Sequence, residues 1–150
     1  MEPDDTLIIL NIKSNAGKPF KITVKGMSMY PALRELDTIE VVRCELYNVG
    51  DILVFVYKHN EVLVHRLLKI RKNHYYCKGD NAFRLEDIEY KQIMGKVVSI
   101  IRDGCAYELP EVDPSLLEQS YLINREFRKL GYDLQKAQET ELYIKFKNQY

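Results

Sequence analysis

The chain has 150 residues, with 22 basic and 22 acidic side chains and 46% hydrophobic residues. That length suits a single domain, 1–150, with a modest core of its own. The balanced charge gives no global attraction to nucleic acid or to an anionic membrane, so neither a nucleic acid partner nor a charge-driven surface role is expected.

The N-terminus, Met1-Glu2-Pro3-Asp4-Asp5, is acidic and lacks the basic start of a secretory signal, and the apolar run at residues 7–10 is too short for one. No run approaches the roughly 20 apolar residues that span a bilayer. A cytoplasmic chain without an anchor is the expectation. Residues 6–12 suit a first strand or a short helical turn. Asn15 to Pro19 read as a turn. Phe20, Ile22 and Val24 alternate with Lys21 and Thr23, a strand with one buried face. Residues 26–33 break that pattern and fit a turn entering a short helix.

A β-branched run resumes at residues 38–43. Asn48-Val49-Gly50-Asp51 punctuates the chain before a strand at 52–57, and Lys58-His59-Asn60 makes the next pause. Residues 62–70 form the strongest strand, with His65 and Arg66 on opposite faces. Further strands are read at 75–78 and 95–101. The tail then changes character. Asp113 can cap a helix whose first position is Pro114, and Gly131 can stop it. Leu142, Ile144 and Phe146 permit a last strand, with a helical extension as the rival. The expected fold is mostly β, with a core at 20–101 and a helical or mixed appendage at 113–150.

Cys44, Cys77 and Cys105 are widely spaced and form no disulfide framework or paired metal-ligand motif. They read as reduced, mostly buried thiols, Cys77 being the candidate for reactivity. No cofactor or metal is expected.

Three polar clusters carry the chemistry: Gly26-Met27-Ser28-Met29-Tyr30-Pro31, His65-Arg66, and Lys78-Gly79-Asp80-Asn81. They offer the hydroxyl, imidazole and carboxylate that a serine hydrolase needs. Ser28 follows Gly26 where the backbone can turn sharply, exposing the hydroxyl and aiming backbone N–H groups at an oxyanion. A surface serine packed between two methionines is the plainer alternative. His65 is the best-matched base at neutral pH, against a core histidine satisfied by a carbonyl. His59 and His74 lie in more polar surroundings and rank lower.

Asp80 is the candidate to orient His65, with Asp51 as its competitor and a simple turn residue as the alternative. Arg66 either binds a carboxylate or points into solvent. Lys78 is a surface lysine or, if buried, a rival base. Gly26, Met27, Met29 and Tyr30 are the candidates to line a substrate groove.

These motifs resemble the catalytic core shared by signal peptidase I and the LexA-like peptidases. Gly26-Met27-Ser28-Met29 is similar to the LexA-like nucleophile segment, and Tyr30-Pro31-Ala32-Leu33 to its signal-peptidase continuation. Gly50-Asp51-Ile52-Leu53, His65-Arg66, Lys78-Gly79-Asp80-Asn81 and Gly95-Lys96-Val97 resemble the archaeal and endoplasmic-reticulum signal peptidases. The resemblance implies a signal-peptidase/LexA-like catalytic β-fold with a C-terminal helical appendage. It also implies Ser28 as nucleophile, His65 as base and Asp80 as the residue that assists it. No lysine stands where bacterial enzymes and LexA-like proteins keep their base. Two features depart from the family pattern: no membrane anchor is expected, and Gly26 replaces the serine of the usual Ser-Gly-Ser-Met motif and brings no hydroxyl to an oxyanion hole.

The activity implied is a serine endopeptidase that cleaves an extended precursor or leader peptide through an acyl-enzyme. Small residues near the cut are the preference that the resemblance implies. A noncatalytic peptide-binding module of the same fold is the alternative, and a LexA-like self-cleaving regulator ranks below it. A protein partner or peripheral membrane contact through Met27, Met29 and Tyr30 stays open, as does the oligomeric state.

Overall fold

Alternating apolar residues recur through the first two thirds of the chain, and most of these runs become strands of one antiparallel sheet. The computed structural model describes residues 3–149. Helix α1 (Pro3–Asn15) precedes β1 (Phe20–Thr23), β2 (Thr38–Val42), β3 (Ile52–Val56), β4 (Val62–Arg71), β5 (His74–Lys78), β6 (Leu85–Ile88), β7 (Ile93–Arg102) and β8 (Cys105–Tyr107). Helices α2 (Pro114–Lys129), α3 (Leu134–Gln138) and α4 (Glu141–Lys147) complete the chain. The strands run β1-β2-β7-β3-β4-β5-β6 across the sheet, with β8 paired to β7. This is a mostly β fold with a C-terminal helical segment, as the sequence leads one to expect.

Strand β3 lies between β4 and β7. Its Ile52, Leu53, Val54 and Phe55 are all buried, because each face of this strand meets a separate core. Ile52 and Val54 join Ile39, Val41, Leu33 and Leu10 on one face. Leu53 and Phe55 join Leu67, Cys77, Ile88 and Ile93 on the other. A continuous apolar run, rather than strict alternation, is what burial on both faces requires. Gly95 sits against Val41 and Val42 so closely that a Cβ would lie 2.8 Å from both the Val41 side chain and the Val42 carbonyl oxygen.

Residues 6–12 fall inside α1 rather than a strand. Leu10 and Ser14, one helical turn apart, are buried, and the Ser14 hydroxyl donates to the Met94 carbonyl at 2.7 Å. This contact with β7 fixes the segment as a helix despite its β-branched residues.

Asp113 caps α2 by accepting from the Ser115 N–H, with Pro114 at the first helical position. Gly131 follows the helix with φ +68° and donates to the Arg128 carbonyl, as expected of a stop. Ile123 and Phe127 of α2 pack with Phe83, Ala137 and Phe146. The Asn124 amide also donates to the Phe83 carbonyl at 2.9 Å. The tail segment at 142–146 is α4, not a strand. Thr140 caps it, Leu142, Tyr143 and Phe146 pack inward at helical spacing, and Ile144 points outward.

Candidate active site

The nucleophile segment is a run of turns between β1 and β2, entered through Gly26 at φ +76°. The Tyr30 N–H donates to the Met27 carbonyl at 3.1 Å and the Leu33 N–H to the Met29 carbonyl at 2.9 Å. The Tyr30–Pro31 peptide is cis. Residues after β5 clamp this turn from outside. The Asn81 N–H donates to the Ser28 carbonyl at 2.8 Å, and the Asn81 amide to the Met27 carbonyl at 3.1 Å. The Asp80 N–H contacts the Met29 sulfur at 3.3 Å.

His65 projects from β4 on the face it shares with Leu53, directly opposite it in β3. The imidazole is buried, and its ring meets Phe55 edge-on at 6.3 Å between centroids. His65 Nε2 lies 3.1 Å from Ser28 Oγ, and Nδ1 is in close contact with Glu86 Oε1. A carboxylate at Nδ1 favours the tautomer with its proton there, which leaves Nε2 free to accept from the serine hydroxyl.

Gly79 makes room for this line. A Cβ there would stand 2.7 Å from the Ser28 carbonyl oxygen and 3.2 Å from His65 Nε2. Those approaches leave no space for a side chain beside the imidazole.

The expected contact between Asp80 and His65 is not made. The Asp80 carboxylate instead accepts from Arg66 Nε at 3.0 Å and Nη2 at 2.7 Å, and Arg66 Nη1 donates to the Gly50 carbonyl at 2.9 Å. The reason is strand geometry. His65 and Arg66 are neighbours on β4 and therefore face opposite sides of the sheet. Glu86 is paired with Cys77, which is itself paired with Leu67, so it shares the face of His65. Glu86 is the residue that the sequence reading missed. Its short acidic strand, Leu85-Glu86-Asp87-Ile88, offers only the buried partner Ile88 as a signal of an inward face.

The other candidates separate cleanly. Lys78 is fully buried, not a surface residue, and donates to the carbonyls of Gly79 at 2.9 Å and Ala82 at 2.6 Å. Burial pulls its ammonium down to about 8, against the raising influence of Asp80 and Glu86. It braces the 79–82 turn rather than contacting Ser28. Asp51 accepts from the Asn48 N–H and shapes the turn before β3. His59 lies in an exposed 3-10 turn with φ +58°, and His74 pairs with Asp87 at the surface. Met27 and Tyr30 are 48% and 43% exposed, but Met29 is buried in the core and belongs to no open groove.

The three cysteines are free. Cys77 is buried, and burial raises its thiol well above the ordinary range, so it is inert rather than reactive. Among the described residues no group of three or more His, Cys, Asp or Glu side chains is disposed to hold a metal ion. No described helix is long and apolar enough to cross a membrane.

Residues 3–98 match the family model described as Peptidase S24-like. The chain belongs to this peptidase family. The matched span includes Ser28, His65, Asp80 and Glu86, and ends before β8 and the C-terminal helices. No curated protein matches the chain.

Proposed function

We propose that this S24-like protein is a serine endopeptidase of the signal-peptidase kind, with Ser28 as nucleophile, His65 as base and Glu86 as its carboxylate partner. The observation that carries this reading is the line from Ser28 Oγ to His65 Nε2, at 3.1 Å, and on through Nδ1 to Glu86. A serine hydroxyl is a weak nucleophile until a base within about 2.6–3.2 Å takes its proton.

In this mechanism Ser28 Oγ attacks the scissile carbonyl as its proton passes to His65 Nε2. The resulting imidazolium is held by the Glu86 carboxylate. The Ser28 N–H serves as an oxyanion donor, and Gly26 leaves the second donor to the backbone or the substrate pocket. The tetrahedral adduct collapses, the C–N bond breaks, and His65 delivers the proton to the departing amine. Water then attacks the acyl-enzyme with His65 again as base, releasing the acid and restoring Ser28.

The substrate is an extended precursor or leader peptide, paired along an exposed strand edge with its side chains in shallow pockets. Met27 and Tyr30, exposed on either side of Ser28, flank its path. Asp80 is a structural partner of Arg66 in this account. It ties the 79–82 turn to β4, while Lys78 braces the same turn from within.

The test is peptide turnover. Purified protein incubated with an unstructured peptide library is expected to yield discrete cleavage products by mass spectrometry. Ser28→Ala and His65→Ala should yield none while keeping the wild-type circular dichroism. Turnover that survives Ser28→Ala removes Ser28 as nucleophile. Saturable peptide binding without cleavage by the native protein favours the noncatalytic binding module.

A further inference from the structure

On the face of the sheet opposite His65, residues of β4, α2 and the nucleophile turn line a pocket of ≈ 220 Å³. Pro31 and Ala32 of the nucleophile turn line it. Val112, Leu116 and Leu117 also line it, as does the Arg66–Asp80 pair. Neither Ser28 nor His65 lines it, so it is separate from the catalytic line.

Ser120 also lines this pocket. The residue is 3% exposed, yet its hydroxyl has no hydrogen-bond partner, the one such side-chain atom among the described residues. A serine in a helix ordinarily satisfies its hydroxyl on the carbonyl one turn back. Ser120 does not, and a buried polar group left unpaired is costly enough that native folds keep few of them.

We infer that this pocket binds a small neutral molecule, apolar over most of its surface and carrying one hydroxyl or carbonyl that pairs with Ser120 once the buried hydroxyl rotates toward the cavity. Its size admits such a ligand, since cavities of roughly 150 Å³ lined by apolar side chains hold benzene. Its chemistry selects neutrality. Arg66 and Asp80 already neutralise each other through two hydrogen bonds, and the carboxylate of Glu111 at the rim disfavours an anion.

The position also gives the ligand a consequence. Pro31 and Ala32 continue directly from Ser28, and the Asp80 N–H contacts the Met29 sulfur. An occupant therefore braces the nucleophile turn through Pro31 and Ala32, away from Ser28 and His65.

Phenol and toluene make matched probes, equal in heavy atoms and differing by one hydroxyl. Titration of the ¹⁵N-labelled full chain should give saturable amide shifts centred on Ala32, Leu117 and Ser120 for both probes, with smaller shifts at Ser28 and Met29. In Ser120→Ala the ratio of phenol to toluene affinity should fall about three- to tenfold, the size of one hydrogen bond. Shifts that do not saturate, or that centre elsewhere, overturn the site. An unchanged affinity ratio in Ser120→Ala overturns the assignment of Ser120 as the polar contact. These readouts are binding measurements and stand whether or not the chain cleaves peptides.

Discussion

Exchanging Glu86 for Gln keeps the size of the side chain at His65 Nδ1 and removes its charge. The effect on acylation follows from geometry. During attack on a carbonyl or phosphonyl centre the imidazole becomes a cation, hydrogen-bonded to the Glu86 carboxylate in a buried site. Opposite charges about 4 Å apart at an effective dielectric near 20 attract by about 4 kcal/mol, roughly a thousandfold in rate. Acylation by a fluorophosphonate, followed by intact mass, should therefore slow by about that factor in Glu86→Gln. Asp80→Asn is the matched control. It weakens a buried ion pair, so it should lower stability by ~3 kcal/mol. Per folded molecule, however, its acylation rate should stay within about tenfold of wild type, because Asp80 bonds Arg66 and not His65. The reverse result, with Asp80→Asn slowed a thousandfold and Glu86→Gln nearly unaffected, would return the orienting role to Asp80 and refute the assignment.

Gly79→Ala should abolish acylation while leaving most of the sheet intact, since the added methyl meets the Ser28 carbonyl at 2.7 Å and His65 Nε2 at 3.2 Å. Amide hydrogen exchange should localise the disturbance to the 26–33 turn, and wild-type acylation by this variant would contradict the close-packed site. Lys78 titrates near 8 in the folded chain and at an ordinary 10.5 when unfolded, so between those values the unfolded state binds the extra proton. Stability should therefore rise with pH across that window, by roughly 3 kcal/mol at most. Denaturant melts of wild type and Lys78→Met from pH 7.5 to 10 should diverge for that reason, and parallel curves would place the lysine in solvent. Asp37 is held below its ordinary value chiefly by its hydrogen bonds to Arg102. Its contribution is present above pH 3.8 and lost as pH falls through the lower folded value, so Asp37→Asn should flatten the acid limb of the stability curve.

Local signals made β1 through β5 and β7 legible: alternation in β1 and β4, a β-branched run in β2, and apolar runs bounded by turn residues in β3, β5 and β7. Capping chemistry did the same for α2 through Asp113 and Pro114. Residues that depend on distant packing were not legible. Residues 6–12 carry a strand-like composition, but Ser14 and Leu10 dock on the sheet at helical spacing. Residues 142–146 alternate in hydrophobicity, yet the face they bury is set by contact with Phe83 and α2.

The candidate site divides the same way. Ser28 and His65 stood out because turn chemistry and a histidine within an apolar strand are local signals. The choice of carboxylate depends on the register of β5 with β6, which pairs Cys77 with Glu86 across a six-residue connection (residues 79–84). That connection carries no propensity signal for register. Asp80 was the nearer candidate in sequence, and the alternation of β4 gave it to Arg66 instead. The burial of Lys78 was hidden for a similar reason, since the helical segment at the far end of the chain places Phe146 over it.

Peptide mapping of the native protein after reaction with a fluorophosphonate tests the central assignment most directly. The account predicts one adduct, on Ser28, formed at a rate that collapses in His65→Ala. An adduct on another residue, or Ser28 labelling at full rate without the imidazole, would contradict it.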